Sequence, residues 1–275
     1  MPNMAHMNPR LSKQLATTPG SVARAFTLIE MLVVIAIIGI LSTIGLVAIK
    51  GMTKSNTMIA ANRQLLDDIS YARQRAIADH TTVYVVFVSP SILGYDYASL
   101  YGPNTSALSQ VTNLYGGQFT TYAVLSLRSV GDQPGTANPH YLTGWRTLPS
   151  GVYISTNKFA TYSTSASYNE YTRPFQTTNA PIIPFPQVTS NTVYLPNLPF
   201  ICFNYQGGLN NPNNENVDIP LTRGSIFYAR DGNGALLPQT PDVLENPPGN
   251  TLSVSNVIHI DWLTGRVKVQ RQEVQ

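Results

Sequence analysis

Charged residues are scarce in this chain of 275 residues, at 11% of the total, less than half of the ~25% typical of soluble domains. The formal net charge of +3 comes from the first 25 residues, which contain Arg10, Lys13 and Arg24 and no acidic residue. The remaining chain has equal numbers of basic and acidic residues. A neutral chain lacks the broad electrostatic attraction used in non-specific nucleic-acid binding, so we expect no nucleic-acid partner.

Cysteine is nearly absent, because Cys202 is the single one in the sequence. One cysteine excludes an intrachain disulfide. Its neighbours are Phe200, Ile201 and Phe203, and a cysteine in such apolar surroundings is usually buried and inert. We therefore predict a structural thiol at this position.

Patterns that carry catalysis or bind metals are also missing. No two of the four histidines have the spacing of metal ligands, and no nucleophile elbow, phosphate loop or zinc motif is present. We expect no enzyme activity, no cofactor and no metal. His259 is interpreted as an ordinary strand residue. Residues 231–234, Asp-Gly-Asn-Gly, are interpreted as a hairpin turn rather than a calcium loop, which needs further oxygen ligands.

A long apolar run follows the basic first segment. Residues 26–49 contain one ionisable side chain, Glu30, and no proline. As a helix this run would be about 36 Å long at ~1.5 Å per residue, enough to cross a ~30 Å hydrocarbon layer. A carboxylate there costs at least ~2.5–3.5 kcal/mol, so it usually marks a functional site with a partner. The alternative is that Glu30 lies at headgroup depth and reaches water.

The start of this run carries a recognisable motif. Residues 26–41, FTLIEMLVVIAIIGIL, resemble the amino-terminal segment of type IV prepilins and type II secretion pseudopilins. The resemblance implies that a prepilin peptidase cleaves between Ala25 and Phe26 and methylates the new terminus at Phe26. The family usually has glycine where this chain has Ala25, which implies slower cleavage. An ordinary secretory signal has a shorter apolar region and a small-x-small cleavage site.

The same resemblance implies a set of partners and a location. The positive terminus at Phe26 of one subunit would pair with Glu30 of a neighbour, since a buried charge is tolerated only with its counter-charge. The implied partners are the prepilin peptidase, other pilin or pseudopilin subunits, the inner-membrane assembly platform and membrane lipid. The chain would cross the bacterial inner membrane once, with its globular domain in the periplasm or on an extracellular filament.

The chain divides by pattern into four parts. Residues 1–25 are a cleaved leader, 26–49 the membrane half of a long helix, and 50–80 its amphipathic half. Residues 81–275 form a β-rich domain with an insertion at about 91–198. The expected fold class is α+β, a type IV pilin-like fold with one long helix on antiparallel sheet.

The amphipathic half of the helix shows apolar residues at spacings of three, four and seven. The predicted buried stripe consists of Met52, Ile59, Leu66, Ile69 and Ala76. On the polar side, Arg63 with Asp67 and Arg75 with Asp79 are predicted i, i+4 ion pairs, each worth ~0.2–0.5 kcal/mol.

Strands are predicted from β-branched and aromatic runs bounded by turn residues. They are residues 83–88, 121–127, 151–155, 200–205, 224–229 and a closing hairpin within 256–269. Between Pro90 and Phe200 lie eleven of the fifteen tyrosines and only seven charged residues. This segment is interpreted as long ordered loops or a β-rich insertion, either structural or a contact surface.

The last third resembles the globular domain of H-type minor pseudopilins. The resemblance rests on the 200–205 strand followed by Gly207 and Gly208, a strand ending at residues 231–234, and the hairpin through TGRVKV at 264–269. It implies a structural subunit of a type II secretion pseudopilus or a type IV pilus-like filament. The alternative is an adhesive minor pilin that binds an extracellular ligand through the insertion.

Overall fold

The protein is represented by a computed structural model, which describes most of the chain after residue 25. The described ranges are 26–102, 105–129, 131–133, 138–163, 166–169, 171–181, 183–185, 193–195, 197–211, 213–251 and 256–270, with backbone alone at 43–55, 101, 105, 193 and 194. The chain divides into two units, Met1–Lys50 and Gly51–Gln275. The predicted leader, residues 1–25, lies outside the described residues.

Twelve strands and three α-helices are assigned in the described residues. The helices are α1 (Leu28–Ala78), α2 (Tyr97–Tyr101) and α3 (Thr105–Tyr115), with 3-10 turns at Pro90–Gly94 and Thr156–Phe159. The strands are β1 (Val83–Phe87), β2 (Thr121–Ser126), β3 (His140–Tyr141), β4 (Arg146–Thr147), β5 (Val152–Ile154), β6 (Ile183–Phe185), β7 (Val193–Leu195), β8 (Phe200–Phe203), β9 (Val217–Phe227), β10 (Asp242–Glu245), β11 (Val257–Ile260) and β12 (Val267–Gln270).

The first unit contains the amino-terminal part of α1. Thr27 precedes the helix, and its Oγ1 accepts a hydrogen bond of 3.3 Å from the backbone N–H of Glu30, as N-cap residues do. The predicted helix from Phe26 to Asp79 is confirmed within two residues at each end. Among the residues that were described, no helix has an apolar stretch long enough to cross a membrane. The membrane span at 26–49 stays a prediction.

In the second unit, α1 buries one side against the sheets. The buried apolar residues are Met58, Ala61, Leu65, Ile69, Ala72 and Ala76, at the spacing of a single helix face. The predicted stripe was right at Ile69 and Ala76 but wrong at Ile59 and Leu66, which are only half-buried. The side chain of Met52 lies outside the described residues. Alanines on the buried face leave room for close approach of the helix to the sheet.

The two predicted ion pairs on α1 have different outcomes. Arg75 and Asp79 form the expected bridge, with 2.8 Å between Nη2 and Oδ2. Arg63 and Asp67, both described and both exposed, do not form a bridge with each other. Two exposed long side chains gain little from pairing in water, which explains why this prediction was wrong.

The sheets of the second unit are antiparallel throughout. In one, the strand order is β3-β2-β1-β8, and β4 also pairs with β2. In the other, the order is β10-β9-β11-β12, and β5 also pairs with β9. A separate pair is formed by β6 and β7. The architecture is therefore α+β, as predicted.

Both faces of the first sheet are covered. Val83, Val85 and Phe87 of β1 belong to the core shared with α1. Val86, between them, belongs to a second core that contains Val111 of α3. Because side chains alternate along a strand, α1 and α3 cover opposite faces. A strand buried on both faces has the continuous apolar sequence seen in β1.

Most strand predictions are confirmed, with one error of position. Residues 224–229 were predicted as a strand, whereas β9 begins at Val217. Its interior contains Pro220, which lies where the partner of β9 changes from β11 to β5. Proline has no N–H to donate to a neighbouring strand and usually argues against a central strand. The first half of β9 was therefore not predicted from the sequence.

The interpretation of residues 91–198 as loops or a β-rich insertion was wrong for Tyr97–Tyr101 and Thr105–Tyr115, which are α2 and α3. The same segment also supplies β2 and β5, which pair with β1 and β9 from outside it. Thus part of the segment belongs to the core of the second unit. The proposed bounds of the insertion remain a prediction.

Candidate functional site

The candidate site lies at the amino-terminal end of α1. Phe26 has 69% of its surface exposed, and Glu30 is exposed in the first turn of the helix. A carboxylate in the first turn interacts favourably with the helix dipole, by roughly 0.3–1 kcal/mol. Ala25, on the other side of the predicted cleavage site, lies outside the described residues. The structure therefore brings Phe26 and Glu30 to the same helix end.

An unusual apolar surface surrounds this end. Every residue from 26 to 42 is exposed, and we call this stretch the apolar segment. Its large exposed apolar residues are Phe26, Leu28, Ile29, Met31, Leu32, Val33, Val34, Ile35, Ile37, Ile38, Ile40 and Leu41. A helix that is apolar on all sides is normally covered by protein or lipid, and exposed patches of this kind mark interaction surfaces.

The polar groups of the apolar segment are few. The hydroxyl of Ser42 donates a hydrogen bond of 2.7 Å to the carbonyl of Ile38 within the helix, and Thr27 caps the helix. Glu30 is the single ionisable side chain of the segment. If another molecule covers this surface, Glu30 is the group that loses water and requires a counter-charge.

Two interpretations of individual residues agree with the geometry. Cys202 is buried, as predicted. Its Sγ lies 3.1 Å from the carbonyl oxygen of Asn210, and burial raises its pKa to about 12, which disfavours the reactive thiolate. His259 lies on β11 opposite Asp218 of β9, with 2.7 Å between Nδ1 and Oδ1. It is thus a paired strand residue, as expected.

The sequence Asp-Gly-Asn-Gly at 231–234 forms a turn, as predicted. One carboxylate oxygen of Asp231, Oδ1, accepts hydrogen bonds from the backbone N–H groups of Asn233 and Ala235, at 2.9 and 2.8 Å. Residues Arg230 and Leu236 pair across the turn. Across the parts of the chain that are described, no group of His, Cys, Asp and Glu side chains is arranged to hold a metal ion.

The sequence did not predict a buried lysine beside a cavity in the second unit. Lys158, in the 3-10 turn Thr156–Phe159, is only 2% exposed and lines a cavity. Lysine is almost never fully buried without a partner, so a buried lysine is not expected at this position. The residues next to Lys158 in the sequence carry no signal that would predict it. The walls of the cavity come from segments that are distant in the sequence, so no local motif predicts it.

Comparison with known proteins identifies the amino-terminal segment. Residues 21–46 match the prokaryotic N-terminal methylation motif, the cleavage and methylation signal of type IV prepilins and pseudopilins. The match covers this segment alone and confirms the resemblance of residues 26–41. No curated protein and no solved structure matches the chain. The motif is that of a type IV pilin-like or pseudopilin-like structural subunit.

Proposed function

We propose that this protein is a minor pilin or pseudopilin, a structural subunit of a type II secretion pseudopilus or a type IV pilus-like filament. The observation that carries the proposal is the combination found at one helix end. The methylation motif at residues 21–46 contains the whole apolar segment, whose residues are all exposed. A subunit held first by lipid and then by neighbouring helices requires such a surface.

The globular part of the protein is compatible with this function. From Met58 to Ala76, α1 buries one face in the core of the second unit. This half of the helix therefore has a partner within its own chain. A long helix with its second half on antiparallel sheet is the arrangement that we propose to be pilin-like.

Processing is the first step of the proposed function. A prepilin peptidase would cleave between Ala25 and Phe26 and methylate the amino group of Phe26. We expect the intact mass of protein extracted from membranes to equal that of a chain beginning at methylated Phe26. Ala25→Gly should be cleaved at least as fast as the parent, whereas Ala25→Trp should accumulate uncleaved. A mature chain beginning at any other residue would contradict this assignment.

Assembly is the second step, and we assign it to Glu30. When neighbouring helices cover the apolar segment, an unpaired Glu30 carboxylate would be buried at a cost of several kcal/mol. The positive amino terminus at Phe26 of an adjacent subunit is the matching counter-charge. The pair favours one register of the two helices because any other register leaves both charges unpaired.

Glu30→Gln tests this role because it preserves the shape of the side chain and removes its charge. We expect membrane insertion and leader cleavage to persist, while incorporation into filaments falls at least tenfold. Ser42→Ala is the matched control, since the hydroxyl of Ser42 bonds within its own helix and its loss should leave assembly unchanged. Both variants are compared by the yield of sheared or purified filaments.

Crosslinking reports the contact directly. Cysteine pairs introduced along residues 26–49 of adjacent subunits should crosslink in the parent and not in Glu30→Gln. The native thiol of Cys202 does not interfere because it is buried. If Glu30→Gln crosslinks and assembles like the parent, the charge pair does not direct assembly.

A separate experiment, fractionation of cells, distinguishes an envelope pseudopilin from a surface-exposed adhesive pilin.

A further inference from the structure

A cavity of about 270 Å³ lies in the second unit, near the lower end of the ~300–1,000 Å³ range of small-molecule sites. Its lining comes from Lys158 and Tyr162, the segment 173–178, residues 200–202 of β8, and residues 209–211, 213 and 215–217. The apolar part of the wall includes Phe175, Phe200 and Leu209. The cavity is therefore shaped by four separate parts of the chain and has room for a molecule about the size of a single aromatic ring with a short polar group.

Lys158 gives the cavity its chemical character. The residue is almost completely buried, and its Nζ lies 5.1 Å from the centre of the Phe175 ring. Within the described residues, Nζ makes no hydrogen bond and no ion pair at bonding distance. A buried ammonium without acceptors is unfavourable by several kcal/mol, so an acceptor that enters the cavity would be strongly favoured.

Three other charged side chains lie near the cavity. Arg173 forms an ion pair with Glu215, and both line the wall. Asp218 attracts Lys158 through space. Its Oδ1 lies 2.7 Å from Nδ1 of His259, and its Oδ2 is buried without a hydrogen-bond partner among the described residues. The Lys158 ammonium has no acceptor at bonding distance among the described residues, and Glu215 and Asp218 would repel a dianion more strongly than a monoanion. This charge pattern favours a ligand with a single negative charge.

We propose that this cavity binds a small monocarboxylate with an apolar body, whose carboxylate accepts hydrogen bonds from Lys158 and whose body packs on Phe175, Phe200 and Leu209. The inference is independent of the proposed filament function, because every residue it uses lies in the second unit. A carboxylate supplies the acceptors that the ammonium lacks, and the aromatic walls bury the rest of the molecule.

Protonation of the amine sets the conditions of the test. Burial lowers the pKa of Lys158 to about 7, so most of the side chains carry a charge at pH 6. A carboxylate at bonding distance would raise this pKa, because an opposite charge favours the charged form of the amine. Binding is therefore measured at pH 6.

Calorimetry with the full-length protein in detergent tests the proposal, with phenylacetate as the probe and phenylacetamide as its uncharged analogue. We expect phenylacetate to bind and phenylacetamide to bind at least tenfold more weakly. Lys158→Met should abolish the difference, whereas Lys268→Met, a change at an exposed lysine, should preserve it. No binding of phenylacetate at millimolar concentration would overturn the proposal, as would equal binding of the amide.

A measurement on the unmutated protein guards against misfolding of Lys158→Met. Acetic anhydride labels accessible amines, and mass spectrometry reports the rate at each lysine. Saturating phenylacetate should slow the labelling of Lys158 at least fivefold and leave Lys268 unaffected. Unchanged labelling of Lys158 in the presence of the probe would show that the carboxylate does not bind there.

Discussion

The buried carboxylate of Asp68 provides a sharp test of how α1 is held on the sheet of the second unit. Asp68 lies on α1, 5% exposed, and accepts a hydrogen bond of 2.6 Å from the hydroxyl of Tyr122 on β2. It also pairs with the guanidinium of Arg146 on β4. Gln64, one turn earlier on α1, donates a hydrogen bond of 3.1 Å to the Tyr122 hydroxyl. These contacts connect the helix to two strands.

Asp68→Asn removes the charge and leaves the shape. The amide oxygen still accepts from Tyr122, but the amide nitrogen now faces another donor, Arg146. Breaking a buried ion pair costs ~3–5 kcal/mol when the remaining charge stays buried. The side chain of Arg146 is 49% exposed, so it regains water and the loss is smaller. We expect the free energy of unfolding to fall by about 2 kcal/mol, the value of a charged hydrogen bond.

Urea unfolding followed by near-ultraviolet circular dichroism measures this change. Arg146→Met is the informative partner variant, because it leaves Asp68 buried and uncompensated and should destabilise the fold more than Asp68→Asn does. The double variant should lose less free energy of unfolding than the sum of the losses in the two single variants, because both single changes break the same contact. A change below about 0.5 kcal/mol for Asp68→Asn, or strict additivity, would refute the assigned role of this network.

Two further predictions concern the second unit. Gly265 has φ +61°, and a Cβ there would lie 1.9 Å from the carbonyl oxygen of Gly207, so Gly265→Ala should lower the free energy of unfolding by about 2–4 kcal/mol. Gly232→Ala, where a Cβ meets nothing within 4 Å, is the control and should change it by less than about 0.5 kcal/mol in urea titrations. Burial lowers the pKa of Lys158 from 10.5 to about 7. Between pH 7 and pH 10.5, the amine is therefore protonated in the unfolded chain and mostly unprotonated in the folded chain. The free energy of unfolding should therefore rise from pH 7 to pH 9, by at most about 1.4 kcal/mol per pH unit. Thermal unfolding of the parent and of Lys158→Met over this pH range measures the slope, which the variant should lack. An unchanged slope in Lys158→Met would contradict the assignment of this pH dependence to Lys158.

The elements that could be predicted are those whose signal is local. The strands β1 and β2 are runs of β-branched and aromatic residues, and the turn at Thr264–Gly265 is confirmed by hydrogen bonds of Thr264 to Asp261. The motif that contains Phe26 and Glu30 is likewise contiguous, so the sequence alone was sufficient to recognise the motif. In each of these cases, neighbouring residues specify the conformation.

Helix α3 shows how a local signal is overlooked. Ala107, Val111 and Leu114 are buried at spacings of four and three, which is a helical pattern. The intervening residues are mainly Ser, Thr, Asn and Gln, and most of these have low helix propensity. Their polarity favoured a loop interpretation. Packing against the sheet formed the helix, which illustrates that tertiary contacts override propensity.

Long-range contacts account for what was unpredictable. Asp68 pairs with Arg146, 78 residues later, and Asn62 donates to Asn256, 194 residues later. A buried polar side chain is stable when its partner is in place, and nothing near Asp68 in the sequence indicates which residue that is. The cavity around Lys158 was missed for the same reason, since its walls are assembled from four parts of the chain.

One helix sequence thus meets two different requirements. Between Met58 and Ala76, α1 buries one face, and polar residues such as Arg75 occupy the other side, so the protein's own sheet satisfies this half. Over the apolar segment no polar face exists, because Glu30 is its only ionisable residue. A single sheet covers at most one side of a helix, so no domain of this kind satisfies a helix that is apolar on all sides. We propose that lipid and then a bundle of like helices cover this segment, which lies within the methylation motif at residues 21–46.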